Sequence, residues 1–87
     1  MYELEIRPEL DLKFVKLSKK NKKQLEIIFK KVEEIIQNPQ HYKNLRKPLQ
    51  HLKRVHIDKH FVLTFSVDEN KKIVTLEDYE HHDKIYL

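Results

Sequence analysis

The sequence predicts an α+β fold in which an N-terminal strand and a helical hairpin pack on one face of a mostly antiparallel sheet. Three observations predict it: an alternating apolar segment at the start, an unbroken helical stripe in the first half, and strand-period segments separated by turn residues in the second. At 87 residues the chain is expected to form a single domain over 1–87. A domain of this size buries only about two thirds of the surface its unfolded chain exposes. Its core is modest, and a partner that adds buried area would stabilise it.

Residues 2–7 alternate, with Tyr2, Leu4 and Ile6 on one side of a first strand. Pro8 suits the first position of a helix, and Glu9 and Asp11 complement the dipole in its first turn. Leu10, Phe14 and Leu17 follow at helical spacing. Ser18 interrupts and is placed as the cap of a second, longer helix. In that helix Leu25, Ile28, Phe29, Val32, Ile35 and Ile36 trace one apolar stripe, the pattern of a face packed on a core. Asn38-Pro39 ends it.

Residues 39–50 carry two prolines and read as a loop. Residues 52–57 form a strand, Asp58-Lys59 a tight turn, and residues 61–67 a second strand. Phe61, Leu63, Phe65 and Val67 line one of its faces, Thr64 and Ser66 the other. The next turn spans residues 68–71, with Asn70 the expected left-handed residue. Residues 73–79 form a further strand, and residues 80–87 extend it or add a short one.

Composition excludes several kinds of chemistry. With no cysteine there is no disulfide, no thiolate nucleophile and no thiolate zinc site. With no glycine the phosphate-cradling GxGxxG and GxxxxGK[ST] loops are absent. No apolar run reaches membrane length and no signal-peptide pattern opens the chain, so a cytoplasmic protein without membrane contact is expected.

Lys and Arg number 18 against 14 Asp and Glu, a formal charge of +4. The distribution is polarised. Residues 35–57 hold no acid but carry Lys43, Arg46, Lys47, Lys53 and Arg54, whereas Glu77, Asp78, Glu80 and Asp83 dominate the end. The acid-free stretch reads either as a solvated surface or as a contact for a polyanion or an acidic partner. The lysines of residues 16–23 read as a solvated helix face.

The last residues include Glu80-His81-His82-Asp83-Lys84-Ile85-Tyr86. In a strand His82 and Tyr86 share a face, and in a helix they are neighbours four apart, so either way they converge. An imidazole and a phenol suit proton transfer at a phosphodiester. RNA brings its own nucleophile, the 2′-hydroxyl, so its cleavage needs a base, an acid and cations for the phosphorane charge. Arg54 and Lys53 are placed to supply those cations, and the Arg54 fork matches phosphate geometry. The plainer reading of His81 and His82 is polar residues closing a strand. Adjacent histidines on a strand point apart, and His56 and His60 across a turn read as a surface pair. No metal and no cofactor is therefore expected.

The ordered set Asn38-Pro39-Gln40-His41-Tyr42-Lys43-Asn44-Leu45-Arg46, Leu52-Lys53-Arg54-Val55-His56-Ile57, Phe61-Val62-Leu63-Thr64-Phe65-Ser66-Val67-Asp68 and His81-His82-Asp83-Lys84-Ile85-Tyr86 resembles RelE/ParE-type toxins. It is most similar to an archaeal RelE subgroup with this C-terminal run, and the resemblance covers nearly the whole chain. It implies the RelE-like microbial ribonuclease fold, cleavage of messenger RNA in the ribosomal A site, and a RelB-like antitoxin that wraps the toxin in a hetero-oligomer. By position it assigns Lys53, Arg54, His82 and Tyr86 to catalysis and Lys47 to phosphate positioning, with Arg46 and Lys43 beside it on the RNA. The chain departs from many relatives at Val62 and His82, where they carry arginine, and at Glu80, where they carry glycine. Two other readings stand beside this one: a gyrase-poisoning toxin that cleaves no RNA, and a degenerate fold kept for RNA or antitoxin binding.

Overall fold

The computed structural model of the chain describes residues 1–85. Its elements run β1 (Glu3–Ile6), α1 (Pro8–Lys20), α2 (Lys22–Gln37), β2 (Lys53–His56), β3 (Phe61–Asp68), β4 (Ile73–His81) and a short α3 (His82–Ile85), with a 3-10 turn at Pro39–His41. The strands form one sheet in the order β1-β4-β3-β2. β1 lies parallel to β4, and the β2–β3 and β3–β4 pairs are antiparallel. This is the expected α+β arrangement, since the helical hairpin is the crossover that makes a parallel β1–β4 pair possible.

Pro8 stands in the first turn of α1 as its missing N–H allows, followed by Glu9 and Asp11. The break between the helices falls at Asn21 and not at Ser18. The Ser18 hydroxyl donates back to the Val15 carbonyl at 2.6 Å, which lets α1 continue to Lys20. Asn21 takes a non-helical conformation, φ −153° and ψ 75°, and its side-chain oxygen accepts from the Gln24 N–H at 3.1 Å. Both residue types cap helices, and the one whose side chain bonds forward, to the Gln24 N–H, took the role.

Leu10 and Phe14 of α1 and Ile28, Val32 and Ile35 of α2 meet Leu63, Phe65, Val74, Leu76 and Tyr79 of the sheet. Leu25 and Ile36 are partly buried, and Phe29 sits at the margin of the stripe, edge-on to Phe14 at 5.4 Å. Polar Gln24 is nevertheless buried on the same helix. Its amide nitrogen donates to the Tyr79 hydroxyl at 2.8 Å and to Asp58 Oδ2 at 3.0 Å. Asp58 Oδ1 in turn accepts the His60 and Phe61 N–H groups, so one amide joins α2, β4 and the β2–β3 turn.

The positive-φ residue of the β3–β4 turn is Lys72, φ 57°, and not Asn70. Asp68 Oδ1 accepts the N–H groups of Asn70 and Lys71, which holds both inside the turn and moves the left-handed step to the residue before β4. β4 runs on through Glu80 to His81, part of the extension expected, before the chain turns into α3 in place of further strand. It carries a bulge opposite Thr64/Phe65.

Asn21→Ala is expected to lower the unfolding free energy by about 1 kcal/mol in denaturant melts. Ser18→Ala should stay within about 0.5 kcal/mol.

Candidate functional site

Alternation along β2 separates the two cations that the sequence places together. Lys53 pairs with Phe65 and Val55 with Leu63, on the side of the core. Arg54 pairs with Thr64 and His56 with Val62, on the opposite side. The Lys53 side chain is buried, and its ammonium donates to the Tyr42 carbonyl at 3.0 Å and to Asn44 Oδ1 at 3.1 Å. Tyr42 is itself edge-on to Phe65 at 5.7 Å. Lys53 thus fastens the segment around Tyr42 and Asn44 to the outer edge of β2.

That segment carries the other predicted cations. The Arg54 N–H donates to the Lys43 carbonyl at 3.2 Å, and the Leu45 N–H to the Leu52 carbonyl at 2.8 Å, so the chain runs alongside β2. Lys43, Arg46 and Lys47 are exposed on it. Arg54 is half-buried over a floor of Val62 and Thr64, which are 0% and 3% exposed. His56, exposed two residues further along β2, shares this side and was not singled out as a functional residue from sequence. Its signal was the two-residue spacing from Arg54.

The acids of β4 do not stand unopposed. Arg7 Nε lies 2.8 Å from Glu77 Oε1, and the Ser66 hydroxyl donates to Glu77 Oε2 at 2.6 Å. Lys13 Nζ bridges Asp78 and Glu80 at 2.7 and 2.9 Å. Burial pushes the Glu77 carboxyl upward, but the hydrogen bonds from Arg7 and Ser66 outweigh it and hold the group below the ordinary glutamate range. Burial likewise pushes Asp58 upward, and the His60 N–H, the Gln24 amide and the Phe61 N–H bring it below the ordinary range.

His81 is the last residue of β4 and His82 the first of α3, so the two side chains do not alternate as they would on a strand. Their rings stack at 4.8 Å and 26°. The His82 N–H donates to the His60 carbonyl at 2.8 Å, and His82 Nδ1 lies 3.2 Å from the same oxygen. His82 Nε2 lies 2.9 Å from Asp83 Oδ1. The ring is therefore oriented from both nitrogens. The ladder sets Arg54 level with Asp78, two strands across and four residues before His82, or about 10 Å across the sheet and about 13 Å along it. Tyr86, the predicted partner of His82, lies outside the described residues.

No family model matches the chain. It is 71% identical over 86 residues to an uncharacterized protein of Methanosarcina mazei, covering 99% of this chain and 100% of that one. It is 64% identical over 86 residues to a protein of Methanocaldococcus jannaschii that bears the name toxin RelE4, covering 99% of this chain and 92% of that one. The chain belongs to the RelE toxin family. The fold agrees: the toxin–antitoxin complex RelBE2 of Mycobacterium tuberculosis matches with a TM-score of 0.78 at 16% identity, over 92% of this chain and 96% of that one. The RelE name stands against the gyrase-poisoning alternative.

Glu77 and Asp58 have folded-state pKa values below their unfolded ones, so the stability they add is fully present above the unfolded values and is lost as pH falls through the folded ones. Thermal melts are expected to hold steady down to about pH 5 and then decline through the carboxylate range near about pH 4. In Arg7→Gln the share of that decline due to Glu77 should shrink.

Proposed function

We propose that this RelE-type toxin is a metal-independent endoribonuclease that acts in the cytoplasm and cleaves messenger RNA in the ribosomal A site. The observation that carries the reading is the strip formed by Arg54 and the basic segment pinned along β2, on the same sheet whose strand β4 leads into the oriented His82 ring. Lys43, Arg46 and Lys47 would hold the RNA backbone, as exposed cations lying along one edge do. Arg54, over its buried floor, would take the charge that develops on the phosphorane. Loss of solvent there strengthens a guanidinium–phosphate contact.

His82 and Tyr86 would divide the proton transfers, one taking the proton of the 2′-hydroxyl and the other delivering one to the leaving 5′-oxygen. The His60 carbonyl and Asp83 hold the His82 ring in place for this. His56 is a second imidazole on the Arg54 side within reach of the same strand of RNA. Lys53 enters as a positioning residue: its ammonium supports the basic segment from inside. Pairing of Glu77, Asp78 and Glu80 with Arg7 and Lys13 reduces the repulsion that the acidic end would exert on phosphate.

A RelB-like antitoxin is the natural partner. Leu12 and Val15 of α1 are 64% and 50% exposed. Beside α1 runs a groove of about 230 Å³ lined by Leu17, Phe61 and Tyr79 and rimmed by Lys16, Lys20 and the Lys13–Glu80 ion pair. An apolar floor with a cationic rim fits an acidic amphipathic segment.

Primer extension on a message after induction, or on programmed ribosomes with purified protein, tests the assignment. His82→Ala, Arg54→Ala and Tyr86→Phe should each lower cleavage by about 10²-fold or more with melting unchanged. Toxicity left intact by both His82→Ala and Tyr86→Phe would show the site to be elsewhere. Ribosomes bound without any cleaved message would reduce the protein to an RNA-binding module.

A further inference from the structure

The junction of β4 and α3 gathers three ligand types that the cleavage mechanism uses only in part. Ring nitrogens of His81 and His82 and a carboxylate oxygen of Asp83 lie within 4.8 Å of one another. Asp83 already approaches both rings, with Oδ1 2.9 Å from His82 Nε2 and Oδ2 3.5 Å from His81 Nδ1. The rings are 38% and 41% exposed and Asp83 72%, so all three side chains have room to close on a common centre.

The hydrogen bonds around the rings favour a His82 tautomer whose lone pair faces that centre. A His82 ring whose Nδ1–H donates to the His60 carbonyl has its lone pair at Nε2, against the Asp83 carboxylate. The Asp83 N–H donates to His81 Nδ1 at 3.3 Å, a long bond that a cation at this nitrogen would replace. A lone pair turned toward a carboxylate, as at His82 Nε2, needs a positive centre between them, either a proton or a metal ion. A histidine whose far nitrogen donates to a backbone carbonyl is also the usual arrangement behind a metal-ligating imidazole.

We propose that His81, His82 and Asp83 bind a divalent transition cation of the Zn²⁺, Cu²⁺ or Ni²⁺ class, and that its occupancy blocks cleavage by engaging the His82 ring. Two imidazoles and one carboxylate select these ions over Mg²⁺ and Ca²⁺, which favour all-oxygen sets. Three protein ligands leave coordination open to water or to a phosphate oxygen. The inhibitory half rests on the proposed role of His82, whereas binding of the cation does not.

Isothermal titration of the full chain with ZnCl₂, and separately with MgCl₂, reads the site directly. One Zn²⁺ per chain is expected and no Mg²⁺ binding. His81→Asn and Asp83→Asn should each weaken Zn²⁺ at least tenfold with melting unchanged, while His41→Asn leaves it alone. No Zn²⁺ uptake, or uptake indifferent to His81→Asn, His82→Asn and Asp83→Asn together, overturns the site. Cleavage with and without Zn²⁺ reads the second half: wild type should lose activity and His81→Asn should keep it. Zn²⁺ binding that leaves wild-type cleavage unchanged overturns the inhibition. Absence of cleavage in metal-free protein would instead defeat the nuclease reading and leave the metal site standing.

Discussion

Burial of four consecutive residues of β3, Val62, Leu63, Thr64 and Phe65, is the constraint on which the rest of the molecule rests. A strand exposes alternate side chains to opposite faces, so four buried in a row require cover on both. On one face α1 and α2 bring Leu10, Phe14, Ile28, Val32 and Ile35 onto Leu63 and Phe65. Val62 and Thr64 belong to the other face, beside Arg54 and His56. One strand therefore serves as the centre of the core and as the floor of the candidate site, and a change that loosens it alters both.

Charge is distributed by the same logic. Lys53 points into the core side of β2 and meets two oxygen acceptors, as an ammonium removed from water must. The consequence is mechanical as well as electrostatic, since its acceptors belong to the segment that carries Lys43 and precedes Arg46 and Lys47. On the same face of the sheet, at β4, Arg7 and Lys13 engage three carboxylates, Asp78 and Glu80 among them lying across from Thr64 and Val62. The cations along β2 thus face outward with less competition from the acidic end than the linear sequence implies.

The end of β4 is a place where a change of secondary structure changes chemistry. Had the strand continued through His82, the two imidazoles would have pointed to opposite sides. The turn into α3 brings their rings into contact and sets Asp83 against both. Anchoring by the His60 carbonyl makes the arrangement specific, because it holds one nitrogen of His82 and turns the other outward.

The sequence by itself determined the α+β class, both helices and the three later strands, because burial imposes periods of 3.6 and 2 that survive in the order of residues. The ordered runs through Lys53-Arg54 and His81-His82 also carried the family. Local choices between equivalent residues were less legible: Ser18 and Asn21 cap equally well, and Asn70 and Lys72 were separated only by which N–H groups Asp68 holds. The inward turn of Lys53 was readable from Val55 and Ile57, its alternation partners, yet its oxygen acceptors were not. Only the tertiary structure decided the parallel β1–β4 pair, the Gln24 bridge to Tyr79 and Asp58, and the meeting of His60, His81, His82 and Asp83. Those contacts join residues distant in the chain or lying across a strand–helix boundary, and periodicity within a segment holds no information about either.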